Sequence, residues 1–106
     1  MPKYLLQGSF TVDGVKGVLK EGGSKRRAVI EQMVRDLGGT LEAFYFAFGE
    51  SDVFVIIDLP DNVSSAAVSL AVGAGGAVRA STTVLITPEE MDQAVQKRVN
   101  YNPPGQ

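Results

Sequence analysis

The chain contains no cysteine and no histidine. Without cysteine there can be no disulfide, no thiolate nucleophile and few structural zinc sites, so the domain must be held together by packing alone in a reducing or an oxidising compartment. Without histidine it lacks the side chain that most often moves protons near neutral pH and most often ligates metals. This weighs against an enzyme, although carboxylates, tyrosine and lysine can be tuned by burial to do the same work. Only oxygen ligands remain for a metal, and Glu50, Asp52 and Asp58 are spread over a hairpin without the dense aspartate loop of a calcium hand. Haem would have only tyrosine or methionine as an axial ligand. No metal or cofactor is therefore expected. A formal charge of -2 supplies no broad positive field for phosphates, which argues against nucleic acid as a partner. No apolar run approaches the roughly 20 residues that span a bilayer. The stretch from Ala66 to Val78 is apolar but short and broken by glycine. The N-terminal Met-Pro-Lys-Tyr-Leu-Leu-Gln-Gly enters an alternating pattern at once, with no basic region, apolar core or cleavage site, and this predicts a cytoplasmic protein without a membrane partner.

What is present is one domain's worth of chain, 106 residues of which 44% are hydrophobic and 21% charged. Residues 1–99 read as a single domain and 100–106 as a short polar tail. Lys3 to Val12 alternates, with Tyr4, Leu6, Phe10 and Val12 on one side and Leu5, Gln7, Ser9 and Thr11 on the other, the period of a strand. Asp13-Gly14 opens a turn or a short helical piece through Leu19, and Gly22-Gly23 breaks it ahead of Ser24, a candidate N-cap. Val29, Ile30, Met33, Val34 and Leu37 then recur on one helical face, up to a stop at Gly38-Gly39. Two apolar strands, from about Thr40 to Phe48 and Asp52 to Leu59, flank the hairpin signal Gly49-Glu50-Ser51. Asp61 or Asn62 caps a second helix through about Val72, with Val63, Ala66, Ala67, Leu70, Ala71 and Ala74 as its small-residue face. Alternation returns from Val78 to Ile86. Thr87-Pro88-Glu89-Glu90 is a capping box with proline at the first helical position, opening a helix with the stripe Met91, Ala94, Val95 and Val99.

The order β-α-β-β-α-β plus a terminal helix is the split βαβ, ferredoxin-like α+β arrangement, with both main helices on one face of a four-stranded antiparallel sheet. Right-handed crossovers put the first and third strands in the middle. Val53, Val55, Ile57 and Leu59 then face the helices, which leaves Phe54 and Ile56 on the other face of a central strand. With Leu5 and Leu85 they form an apolar patch of the kind that marks an interaction surface. The expectation is a homodimer built sheet to sheet through these four residues.

Gly38-Gly39-Thr40-Leu41, Phe44-Tyr45, Gly49-Glu50-Ser51-Asp52, Pro60-Asp61 and Val78-Arg79 resemble the GYD domain family, small bacterial proteins of the dimeric α+β barrel type. The likeness runs nearly the whole chain to about Met91. At the name-giving Gly-Tyr-Asp element Gly49 and Asp52 match, whereas Ser51 stands in place of the tyrosine. The family carries no established biochemical activity, so the resemblance implies a fold and an assembly. Related dimeric barrels include cofactor-free oxygenases, haem-handling proteins and small-molecule sensors.

Four residues stand out as candidate ligand contacts. Asp52 is a carboxylate at a strand end, although Gly49 with a positive φ and Asp52 accepting turn amides would equally be turn chemistry. Arg79 lies on the polar side of the fourth strand, where its fork of donors suits an anion or an aspartate. Tyr45 offers an apolar ring with a polar tip, and Lys16, like Lys20 and Arg79, is a cation that could stand beside it. Lys25-Arg26-Arg27 at the start of the first long helix is a solvated face or a weak anion site. The glycines Gly73, Gly75 and Gly76 leave a helix and lack the Gly-Lys-Ser/Thr ending of a phosphate loop. The resulting expectation is a small homodimeric protein that binds a partly apolar, anionic small molecule. The alternatives are a cofactor-free oxygenase or isomerase, and an assembly component that uses its sheet for protein contacts.

Overall fold

A computed structural model describes residues 1–106. The element order is β1 (Lys3–Phe10), α1 (Val12–Glu21), α2 (Gly23–Asp36), β2 (Thr40–Phe46), β3 (Val53–Asp58), α3 (Asn62–Gly75), β4 (Val78–Leu85) and α4 (Pro88–Gln96). The four strands form one antiparallel sheet in the order β2-β3-β1-β4, so the first and third strands are central and the fold is ferredoxin-like. Helix α2 packs over β2 and α3 over β4, leaving the opposite face of the sheet uncovered.

The two sides of the sheet follow from register. Tyr4 pairs with Ile57 and Val84, and Leu6 with Val55 and Thr82, so these residues point to the helices. Leu5 pairs with Ile56 and Thr83, Gln7 with Phe54 and Ser81, and Lys3 with Asp58 and Leu85, so these face away. The core is Tyr4, Val34, Val53, Val55, Ile57, Leu59 and Val68, with Ile30, Met33, Phe44 and Val72 packed around it. Tyr4 keeps its hydroxyl satisfied by donating to Asn62 Oδ1 at 2.6 Å.

Strand β2 departs from simple alternation. A bulge between Leu41 and Ala43 leaves Glu42 unpaired, so Leu41 before it and Phe44 and Phe46 after it all turn toward the helices. Tyr45, opposite Phe54, is sent to the open face.

The helical segments differ from expectation in three ways. The piece after β1 is a ten-residue helix capped by Thr11, whose Oγ1 accepts from the Gly14 amide, so β1 ends at Phe10 and not Val12. Helix α2 begins after Gly22, which has φ 82° and no side-chain cap, so Ser24 is inside the helix and not its N-cap. Helix α3 buries Ser65 and Val68 and half-buries Val72, while Val63, Ala66, Ala67 and Leu70 are exposed. That helix is apolar around most of its circumference, and β-branched valines, not the alanine stripe, fill the space over the sheet. It runs on to Gly75 and is closed by Gly76 in the left-handed region.

Helix α1 lies across one end of the sheet. Its start is tied there by Thr11 N donating to the Ala77 carbonyl at 3.0 Å and Thr11 Oγ1 to that of Gly76 at 2.8 Å. Its far end, Gly22-Gly23, sits beside the Phe46 ring, at the same end of the sheet. Gly14 is buried against Ala77, and a Cβ there would collide with the Ala77 carbonyl oxygen. The large aliphatic residues of α1, Val12, Val15 and Leu19, point outward. Helix α4 leaves the other end of the sheet, and every one of its residues is exposed. The chain consequently measures 57 Å in its longest dimension with a radius of gyration of 16.9 Å, against about 13 Å for a compact chain of this length.

Candidate functional site

Three regions have the chemistry to bind something. The first is a slot between the helices and the sheet, closed by Leu6, Phe10, Ile30, Met33, Phe44, Val55 and Val72 and bearing one charged residue, Arg26. It lies under the helix pair, where α2 leans on β2 and α3 on β4 at opposite edges of the sheet. Its cavity is about 50 Å³. Met33 and Val68 also line an open groove of about 600 Å³ between α2 and α3, so the slot continues outward along the helix pair. Arg26 is half-buried and makes neither an ion pair nor a side-chain hydrogen bond. The basic run Lys25-Arg26-Arg27 was visible in the sequence. That its middle member alone reaches an apolar slot depends on the entry angle of α2, for which the sequence carries no signal.

The second region is the open sheet face. Leu5 and Ile56 are adjacent, Phe54 lies next along β3, and Leu85 flanks Lys3 on β4, so the four expected interface residues share one surface. An ionic cluster borders it at the α4 end: Lys3 Nζ donates to Glu42 Oε2 at 2.8 Å and Asp58 Oδ1 at 3.0 Å, and Thr40 Oγ1 approaches Asp58 Oδ2 at 3.4 Å. The bonds from Glu42, and then Asp58, hold the Lys3 ammonium above its ordinary pKa. At the α1 end the rim is Ser9 and Arg79, which pair across β1 and β4.

The third region is the 47–52 turn. Asp52 Oδ2 accepts the Phe10 amide at 2.9 Å, Asp52 N donates to the Gly8 carbonyl at 2.7 Å, and Ser9 Oγ donates to the Glu50 carbonyl at 2.6 Å. Asp52 thus laces the turn to the end of β1, beyond the last strand pair. Gly49 does not have the positive φ expected of it, and nothing lies within 4 Å of a Cβ placed there. The bend is set by its hydrogen bonds, not by that glycine.

The four candidate ligand contacts are not gathered into one pocket within a single chain. Tyr45 is 70% exposed on the edge strand β2, and Arg79 is on the other edge, about 14 Å away at three strand spacings. Asp52 is engaged with backbone, and Lys16 is exposed on α1.

With the fold and these surfaces described, the chain can be compared with known proteins. The GYD domain profile matches residues 4–95, from the first central strand to the last turn of α4. The chain belongs to the GYD domain family. No curated protein and no solved structure matches it. In this GYD domain the residue preceding Asp52 of the turn is Ser51, and Asp52 does its lacing without a tyrosine beside it. The matched span takes in the slot, the open face and the turn alike.

Proposed function

We propose that this GYD domain is a homodimeric small-molecule-binding protein whose ligand is a slender apolar molecule with one anionic end. The observation that carries this reading is Arg26, an unpaired and half-buried guanidinium on the wall of a largely apolar slot. A cation held partly out of water gains from an anion that the chain itself does not supply, and its fork of donors suits a carboxylate. A cavity of about 50 Å³ admits a short run of methylenes and not an aromatic ring, for which about 150 Å³ is a reference size. The rest of an alkyl chain would lie in the groove between α2 and α3, where the exposed Val29 and Ala71 and the half-buried Met33 would meet it.

Binding is favoured over catalysis because the groups suited to proton transfer are dispersed. Asp52 is committed to the Phe10 amide and Tyr45 is largely exposed. The homodimer is supported by the apolar open face of Leu5, Phe54, Ile56 and Leu85. In that dimer Arg79, Tyr45, Asp52 and Lys16 would stand around the rim of the space between the sheets, a second place for an anionic ligand. The protein is expected to act in the cytoplasm.

Titration of the wild-type protein with decanoate, followed by calorimetry, tests the slot. Arg26→Gln is expected to weaken binding about tenfold or more, the cost of one charge-assisted contact, whereas Arg79→Gln leaves it unchanged. Equal affinity of wild type and Arg26→Gln would refute the assignment, and an effect confined to Arg79→Gln would move the site to the open face.

A further inference from the structure

Two amphipathic helices of this chain present their apolar sides to solvent. On α1, Val12, Val15 and Leu19 follow the spacing of one helical stripe, and all three are exposed because the inward side is occupied by Gly14, Gly17 and Val18. On α4, Met91 and Val95 form the stripe, extended beyond the helix by Val99, and all are exposed. At 3.6 residues per turn, Lys16 and Lys20 fall along one flank of the α1 stripe, with Asp13 on the same flank at the start of the helix, level with the neutral Gln96 of an antiparallel α4. Asp92 and Glu89 fall along the flank of the α4 stripe that has the same hand. When two helices pack antiparallel, flanks of the same hand face each other. The stripes then meet with Leu19 beside Met91, Lys20 opposite Glu89 and Lys16 opposite Asp92. None of these four charged residues is in an ion pair within the chain.

The two helices cannot meet within one chain. The start of α1 is hydrogen-bonded at the end of the sheet where β1 finishes, and Gly23, just past its far end, lies against Phe46 at that same end. Helix α4 starts at the opposite end, two residues after β4, and the strands between run for about 24 Å. Two linking residues and one helical turn carry Met91 no more than about 13 Å back.

We infer that α4 of one copy docks antiparallel on α1 of a second copy, reciprocally, as a pair of clasps across the homodimer. This rests on the sheet-to-sheet dimer proposed above. With the two sheets face to face and the two-fold axis across the strands, the α4 end of one copy lies over the α1 end of the other, and a two-fold makes the exchange mutual. Charge complementarity selects the partner: a basic-flanked apolar stripe and an acidic-flanked one of matching length occur on the same chain.

The test uses the whole chain and sedimentation equilibrium. Lys16→Glu with Lys20→Glu is expected to raise the dimer dissociation constant about tenfold or more, and adding Glu89→Lys and Asp92→Lys to that same chain restores it to within about threefold. Since the chain has no cysteine, direction can be read separately: Leu19→Cys/Met91→Cys should oxidise to covalently linked dimers and Val12→Cys/Met91→Cys should not. A dimer indifferent to the lysine reversals overturns the clasp and leaves the sheet dimer standing. Cross-linking only of the Val12→Cys pair overturns the antiparallel docking, and a ladder of larger species overturns the reciprocal exchange. A monomeric wild type overturns clasp and sheet dimer together.

Discussion

Glycine at two neighbouring positions of α1 shows how context sets the sign of a substitution. Gly14 lies on the Ala77 carbonyl, so Gly14→Ala must push α1 off the strand end, and a loss of about 1–3 kcal/mol is expected, as for other overpacked sites. Gly17, one turn on, has nothing within 4 Å of its missing Cβ. Gly17→Ala should therefore raise stability by about 0.5–1 kcal/mol through helix propensity alone. Urea denaturation of the two variants at one protein concentration separates them. Opposite signs are the expected result, and two losses would mean that α1 does not pack as described. Arg26 and Arg27 teach the same lesson. They are adjacent in sequence, yet Arg26 lines the slot and Arg27 is exposed. Their chemistry was readable from the chain, and their difference was not, because it depends on how α2 is seated.

Two helix starts, at Asp61 and at Thr87, were legible in the sequence, whereas the cap of α2 and the end of α3 were not. Asp61 accepts the Ser64 amide at 2.9 Å, and in the Thr87 box Glu90 Oε1 accepts the Thr87 amide at 2.9 Å while Thr87 Oγ1 accepts that of Glu90. These backbone bonds hold both carboxyls below their ordinary range, Asp61 through Ser64 and Glu90 through Thr87. A group bound more weakly by protons in the folded state adds stability above its unfolded pKa and loses it as pH falls through the folded value. Helicity of α3 and α4 should accordingly decline with acid below about pH 4, and Glu90→Gln should flatten the α4 part of that response, as followed by amide exchange. An acid response identical in wild type and variant would contradict it. Strand order and the faces of β1 and β3 were equally plain from alternation and the crossover rule. Two features were hidden. The Glu42 bulge reverses the alternation of β2, so a period-two reading places Tyr45 with Leu41 when it lies on the other side. The face of α3 was concealed by its own composition, since a helix apolar all round carries no preferred side.

Only 11 of 106 residues are buried, which leaves much apolar side-chain surface in contact with water. That exposed apolar surface includes the uncovered sheet face, the outward side of α1 and α4, together with Val63 and Leu70 on α3 and Phe48 beyond β2. Replacing Phe54 by Arg puts a charge at the centre of the proposed sheet contact, and size-exclusion chromatography with light scattering is expected to show a monomer. A dimer unaffected by Phe54→Arg would place the interface elsewhere. The functional question was less legible than the fold because a binding slot is a property of gaps between elements, while sequence patterns report the elements themselves. The topology has one more effect, on the order of assembly. Strand β1 is made first but lies between β3 and β4, and Lys3 must wait for Leu85 to find its register partner. The β2–β3 hairpin can close locally long before that. A chain emerging from the ribosome would therefore carry a central strand paired on its β3 side only until residue 85 is free, which leaves the other edge of β1 open to chaperone capture or misassociation late in synthesis.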